Sequence, residues 1–314
     1  MSSSCCGEAG NPRVRDVEWG TEATARNTSG PLTARVVEAN APIIERSFVT
    51  AHESLAGSLS GIRSVNRRLA AYWVLRVGAA LCFIGHGAFG FITKAAWLPY
   101  FGVVGIPEST AYTLMPLVGA VDVMAGMAVL FAPRGLPLVY MAVWATWTAL
   151  LRPLAGESFF ETLERAGNYG VPLALMLLTA MPRRLSGLGQ LLNEPSSDDR
   201  AAAMARQALK WTTVVLLLGH AALGIANKAM LTGHYAIIGL PADTTVVVGW
   251  FEVALAAAVA VRPFAGLLVF VAAWKVATEF LFVLAGAPIW EFVERAGSYA
   301  APLALWFMIR ERRQ

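Results

Sequence analysis

Three cysteines, four histidines and a charged fraction of 15% are little for a chain of 314 residues, and each scarcity excludes something. Cys5 and Cys6 lie in a polar stretch and Cys82 in an apolar run, with no CxxC and no matched pair, so neither a disulfide frame nor a redox dithiol is indicated. No metal-ligating set is assigned. The opening residues, MSSSCCGEAGNPRVRDVEWG, lack an apolar h-region and are read as neither a cleaved signal peptide nor a lipoprotein signal. The net charge of +4 and pI near 9.1 do not point to nucleic acid, because Lys and Arg beside membrane spans are expected on orientation grounds. What the chain has instead is a 56% hydrophobic composition and a mean hydropathy of +0.55, the balance of a polytopic membrane protein with the lipid bilayer as its partner.

Residues 1–42 are polar, without sustained period, and read as a disordered tail. From Ile44 to Leu69, apolar residues recur three, four or seven apart beside Arg63, Arg67 and Arg68, which suits an amphipathic juxtamembrane helix over 43–70. Apolar runs near the roughly 20 residues needed to cross a bilayer follow at 71–92, 111–131, 135–153, 168–182, 210–230, 244–261, 264–284 and 297–310. The expected fold is therefore all-α, with eight transmembrane helices. A cytoplasmic linker over 186–209 separates a first four-helix unit, 71–185, from a second, 210–311. With the N-terminus inside, thirteen Lys and Arg of the flanking segments fall on the inner side and five on the outer: Lys94, Arg152, Arg165, Lys228 and Arg295. That places both termini in the cytoplasm of a bacterial-type inner membrane.

The two units repeat one another. GHGAFGFITKAAWLPYFGVVGIP from Gly85 returns as GHAALGIANKAMLTGHYAIIGLP 134 residues later, and after a shorter loop the offset becomes 130. Between Glu161 and Leu175, ten of fifteen residues equal their partners 130 later, which marks a tandem duplication. An even number of spans per unit makes the repeats parallel.

The polar residues kept in both copies are the candidate site. His86 and His220 lie in the first span of each unit, and Asp122 and Glu252 in the second. An ionisable group at that depth costs roughly 2.5–3.5 kcal/mol, so it should face the bundle interior beside a partner. Helix registration, a proton-relay or ligand role, and haem ligation by the two histidines all stay open, haem being the least supported. The copies differ where Ala145 and Ala149 of the first become Lys275 and Glu279 of the second, four apart on one face. Lys275 between Glu252 and Glu279 is either a self-neutralising ion pair or a polar ligand site, which makes the second unit the place to look. At the outer end, Lys94, Glu161, Glu164, Arg165 and Tyr169 correspond to Lys228, Glu291, Glu294, Arg295 and Tyr299, and each set is expected to form a charged lid over its own unit, as an interfacial salt-bridge network or as contacts to a ligand headgroup. Gly167 and Gly297 are expected to end short helices, Asn168 and Ser298 to cap the next span, and Pro172 and Pro302 to fall in its first turn.

The pattern RVGAALCFIGHGAFGFITK, a Gly-Ile-Pro loop, VGAVDVMAGMAVLF and a charged loop before a fourth span resembles the DoxX-like family of four-helix membrane proteins. The resemblance covers both units, about three quarters of the chain, and matches Lys94 and Lys228 to the family lysine and Asp122 and Glu252 to the family acid. It implies a helical bundle and, in some members, a subunit of a quinone-linked oxidoreductase. The fusion of two units and the histidines depart from that pattern. Three functions follow as expectations. The first is a quinone- or lipid-interacting component of a membrane redox complex, its site lined by His220, Glu252, Lys275 and Glu279. The second is a proton-coupled transporter of a small solute, and the third a non-catalytic scaffold. No catalytic residue is assigned.

Overall fold

The computed structural model describes residues 65–182 and 184–309, and these fold entirely into α-helices, short 3-10 turns and connecting loops. The expected tail and residues 43–64 of the expected amphipathic helix lie outside the described residues. Twelve α-helices follow in chain order: α1 (Val65–Phe91), α2 (Leu98–Val103), α3 (Glu108–Phe131), α4 (Gly135–Leu154), α5 (Phe160–Glu164), α6 (Ala166–Leu178), α7 (Asp199–Ile225), α8 (Ala229–Ile237), α9 (Thr244–Val261), α10 (Ala265–Leu284), α11 (Trp290–Glu294) and α12 (Ala296–Met308). Every expected span coincides with one of them. α1, α3, α7, α9 and α10 are long and apolar enough to cross a membrane. α4 matches them in length but is diluted by Tyr140, Thr146, Thr148 and Arg152. α6 and α12 have 13 residues each, about 20 Å of helix against roughly 30 Å of hydrocarbon.

Local chemistry sets the ends. Pro133 and Pro263 follow α3 and α9 and push the preceding residue out of the helical region. Gly105 and Gly239 turn the chain with φ of +74° and +79°, a conformation that glycine adopts without strain. The expected linker is corrected in part: α7 starts eleven residues before position 210. Asp198 caps it, accepting from the Arg200 N–H at 2.9 Å, and Ala201, Ala202, Ala205 and Leu209 form a buried face on this alanine-rich, helix-prone stretch.

Small residues bring the helices together. Gly87 and Gly90 of α1 meet Gly119 of α3, and Ala221 and Gly224 of α7 meet Gly249 of α9, with backbones too close for any added side chain. The second half does not seal a core of its own. α6 packs on α7 and α12, Gly78 of α1 lies against Ala300 of α12, and one apolar cluster runs from Leu75, Leu138 and Leu175 to Leu216, Leu268 and Leu305. At the centre of this junction a Cβ on Gly167 would stand 2.4 Å from the carbonyl carbon of Gly297, and the converse distance is also 2.4 Å. These glycines therefore end no helix. α5 and α11 stop instead at Arg165 and Arg295, neither Asn168 nor Ser298 supplies a side-chain cap, and Pro172 and Pro302 lie in the helix interior. The repeated glycine is required by backbone contact between the halves. Outward, Leu117, Met124, Val143, Val247 and Trp250 are exposed, an apolar surface suited to lipid.

Gly167→Ala or Gly297→Ala is expected to destabilise by roughly 1–3 kcal/mol through overpacking. Gly102→Ala, with open space around its position, should be nearly neutral; thermal unfolding in detergent reads the difference.

Candidate functional site

Each expected histidine meets its carboxylate. His86 Nδ1 lies 2.7 Å from Asp122 Oδ2, and His220 Nδ1 lies 2.7 Å from Glu252 Oε2. The second carboxylate oxygen takes a different donor in each half. Tyr140 donates its hydroxyl to Asp122 Oδ1 at 2.7 Å, whereas Trp274 donates Nε1–H to Glu252 Oε1 at 2.9 Å. Position 270, equivalent to Tyr140, is Phe and has no hydroxyl to offer. Asp122 and Glu252 are fully buried, so both depend on these donors.

In the second half the polar residues close on themselves. Lys275 Nζ stands 2.9 Å from Glu279 Oε1 and 3.9 Å from Glu252 Oε1, and Arg295 Nε stands 3.1 Å from Glu279 Oε2. These are ion pairs with bent geometry, not well-aligned hydrogen bonds. Lys275 and Glu279 are each 1% exposed and fill the space they occupy. Removing one partner of such a buried pair costs about 3–5 kcal/mol, because it strands the other charge.

The repeated charged residues do not form interfacial lids over separate units. Glu161, Glu164, Glu291, Glu294 and Arg295 are buried, and three of the ion pairs around them cross between the halves, while Glu161 also meets Arg152 of its own half at 3.7 Å. Lys94 pairs with Glu291, Lys228 pairs with Glu161, and Arg165 reaches Glu294 at 3.8 Å. Arg295 holds Glu291 at 2.5 Å and Glu294 at 3.1 Å. The cause lies in the helix packing: Gly85 of α1 abuts Glu294 at the end of α11, and Gly219 of α7 abuts Glu164 at the end of α5, so each half's first helix runs beneath the other's charged turn. Burial alone would raise the carboxyl of Glu291, but Arg295 and Lys94 hold it down to about 2. Glu164 also lies below the ordinary carboxylate range, since Arg165 and Arg295 outweigh its burial. Tyr169 and Tyr299 have a bracing role. Their hydroxyls donate to Thr162 O at 3.2 Å and Phe292 O at 3.1 Å, each tying a long helix to the short one before its break.

A cavity is lined mainly by the first half. A space of about 260 Å³ is lined by His86, Trp97, Tyr100 and Phe101, by Leu117 and Val118 of α3, by Trp144, Ala145, Trp147, Thr148 and Arg152 of α4, and by Arg165, Asn168 and Glu294. Ala145 stands where Lys275 stands 130 residues later, so the first half keeps open a volume that lysine and glutamate fill in the second. Leu117 at 61% exposure and Trp147 at 38% mark where the cavity reaches the apolar outer surface between α3 and α4. Two buried donors on its wall, Trp144 Nε1 and Arg165 Nε, have no hydrogen-bond partner. His86 stacks on Trp97 at 4.6 Å between centroids, with Nδ1 engaged by Asp122.

The sequence assigns no site role to Arg76, Tyr140, Trp144, Arg152 or Tyr100. Arg76 is buried in α1 and donates from Nε to Val129 O at 2.9 Å and from a terminal nitrogen to the Tyr72 hydroxyl at 2.9 Å, a span interior where no charge was sought. Trp144 and Trp274 were legible as a repeated pair; the loss of a partner by the first was not. Tyr100 donates to Glu157, which also lies 3.2 Å from Arg152; burial, the chief cause, pushes the Tyr100 phenol up to about 12.

Because Glu291 is held at about 2, below its ordinary 4.5, its contribution to stability is complete above about pH 4.5 and is lost as pH falls towards 2. The thermal midpoint in detergent should fall across that window. Glu291→Gln should lower the midpoint at neutral pH and flatten its acid dependence. Comparison with protein-family models, with curated proteins and with solved structures found no match for this chain.

Proposed function

We propose that this chain is a multi-pass membrane protein of DoxX-like type, with two parallel four-helix units, that binds a membrane-soluble amphiphile of quinone or lipid kind in its first half. The observation that carries the reading is the cavity of about 260 Å³ opening at Leu117 and Trp147 onto the apolar face of α3 and α4, with polar groups at its inner end. Binding pockets of this sort are mostly apolar, with a few placed polar groups that orient the ligand. Entry from the side lets the bilayer deliver the ligand without a water-filled path. The ligand moves from the expected second-half site at His220, Glu252, Lys275 and Glu279 to the first half, because the second-half charges are already neutralised by one another as ion pairs.

Within the first half, Trp144, Arg165, Asn168 and Thr148 would hold an oxygen-bearing head, and Trp97, Phe101 and Trp147 its ring or chain. A bound quinone would supply two-electron, two-proton chemistry. His86 can hold or move a proton at Nε2, because Asp122 accepts from or balances the imidazole at Nδ1, and Tyr140 keeps that carboxylate oriented. The exchanged ion pairs fix Arg165 and Glu294 as a rigid inner wall. A membrane redox partner would dock on this half.

A second reading, proton-coupled transport of a small solute, draws on one observation: the α5–α6 and α11–α12 rods are interrupted at Arg165 and Arg295 beside the buried charges. Broken helices of this kind line substrate sites in transporters. Uptake into proteoliposomes that follows an imposed pH gradient would favour it.

Native mass spectrometry of the gently purified protein should show a bound amphiphile. Ala145→Phe, which puts a ring into the cavity, should remove that mass while leaving the thermal midpoint close to wild type. A wild-type protein carrying no quinone or lipid beyond the detergent background overturns the reading.

A further inference from the structure

The two halves place nearly the same wall around different contents, and the contents of the second half describe what the first half lacks. In the second half, Arg295 Nε faces the Glu279 carboxylate at 3.1 Å, and Trp274 Nε1 donates to Glu252 at 2.9 Å. At the matching first-half positions, Trp144 Nε1 is buried at the cavity wall with no hydrogen-bond partner, and Arg165 Nε, which like Arg295 Nε makes no aligned hydrogen bond, has no carboxylate as near as Glu279 is to Arg295, its guanidinium reaching Glu294 only at 3.8 Å. The sequence accounts for both differences. Ala149 carries no carboxylate where Glu279 does, and Asp122, one methylene shorter than Glu252, gives its second oxygen to Tyr140. Both missing groups are acceptors, and the one the protein itself sets against the arginine is a carboxylate.

We infer that the first-half cavity takes a single-chain amphiphile with a carboxylate head, which stands where the Glu279 carboxylate stands in the second half. The inference rests on the cavity being the ligand site. The head would accept from Arg165 Nε and Trp144 Nε1, two donors whose burial makes an unmet hydrogen bond costly. A second guanidinium, Arg152, lines the cavity where the second half has Phe282, although it already pairs with Glu157 at 3.2 Å and Glu161 at 3.7 Å, so the main charge partner of the head is Arg165. The carboxylate already present on that wall, Glu294, is held by Arg295 at 3.1 Å and Arg165 at 3.8 Å, so its charge is balanced before a ligand arrives. The chain would leave past Leu117 and Trp147, since about 260 Å³ holds a head and only the first part of a long acyl tail. Lys275 has no first-half counterpart because there the anion is supplied from outside and need not be neutralised in advance.

Three tryptophans on the cavity wall, Trp97, Trp144 and Trp147, allow a direct test by bromine quenching of their fluorescence. The full-length protein in detergent is titrated with 9,10-dibromostearate and with the corresponding dibromostearyl alcohol. The acid is expected to bind at least about tenfold more tightly than the alcohol, the scale of one charge-assisted hydrogen bond. Arg165→Gln should weaken the acid by about tenfold and leave the alcohol within about twofold. Trp144→Phe removes the Nε1 donor, with part of the ring and one of the three reporters, but disturbs no ion pair; read through Trp97 and Trp147, it should weaken the acid by about threefold and leave the alcohol within about twofold even if Arg165→Gln does not fold. Equal affinity of acid and alcohol for wild type overturns the carboxylate assignment while leaving the cavity as an amphiphile site. No quenching by either probe, or quenching unchanged by Ala145→Phe, overturns the cavity reading as well.

Discussion

The contact between Gly167 and Gly297 governs the rest of the molecule. With no side chain on either residue, α6 and α12 touch backbone to backbone, which draws the charged turns before them into the interior. Once there, the carboxylates of Glu161, Glu164, Glu291 and Glu294 cannot be left to water and must be met by bases within reach. Some bases come from the same half, Arg295 on Glu291 and Glu294 and Arg152 on Glu161, but Lys94, Lys228 and Arg165 reach across to the opposite half, because α1 and α7 each run beneath the other half's turn. A layer of buried charge and a shared apolar core are thus two consequences of one steric allowance. Such a layer adds little net stability, since desolvation offsets most of the attraction. It does make the pairing of the halves specific, because any other docking would leave several charges unmet.

Against this rigid shared frame the two halves differ by a few side chains. Ala145 and Ala149 against Lys275 and Glu279, Tyr140 against Phe270, and Arg152 against Phe282 are enough to leave a cavity in one half and a closed ion-pair column in the other. The frame tolerates this because the histidine–carboxylate pairs and the exchanged lysines are the same in both.

Much of the fold was legible because hydrophobic runs of helical length leave few alternatives, and all eight expected spans became helices. Their ends were less legible. The alanine-rich start of α7 is too polar to read as a span yet forms helix readily, and α6 and α12 are shorter than their apolar runs suggested. The histidine–carboxylate pairing followed from the cost of isolated charge in an apolar interior, which needs no coordinates. The exchange of Lys94 and Lys228 between halves was not accessible, since spacing along one copy cannot tell a contact within that copy from the same contact made to its twin. Nor was the cavity: a sequence shows the lysine and glutamate that are present, and the room beside Ala145 becomes visible only in three dimensions.

The exchange of ion-pair partners also constrains how the chain is made. Glu161 is translated 67 residues before Lys228, and Lys94 is translated 197 residues before Glu291. Until the second half is synthesised, Glu161 has Arg152 of its own half at 3.7 Å but lacks Lys228, and Lys94 lacks Glu291. Neither half is a finished product of biosynthesis, and a chain interrupted between α6 and α7 would present quality-control proteases with exposed acid in an unsealed helix bundle.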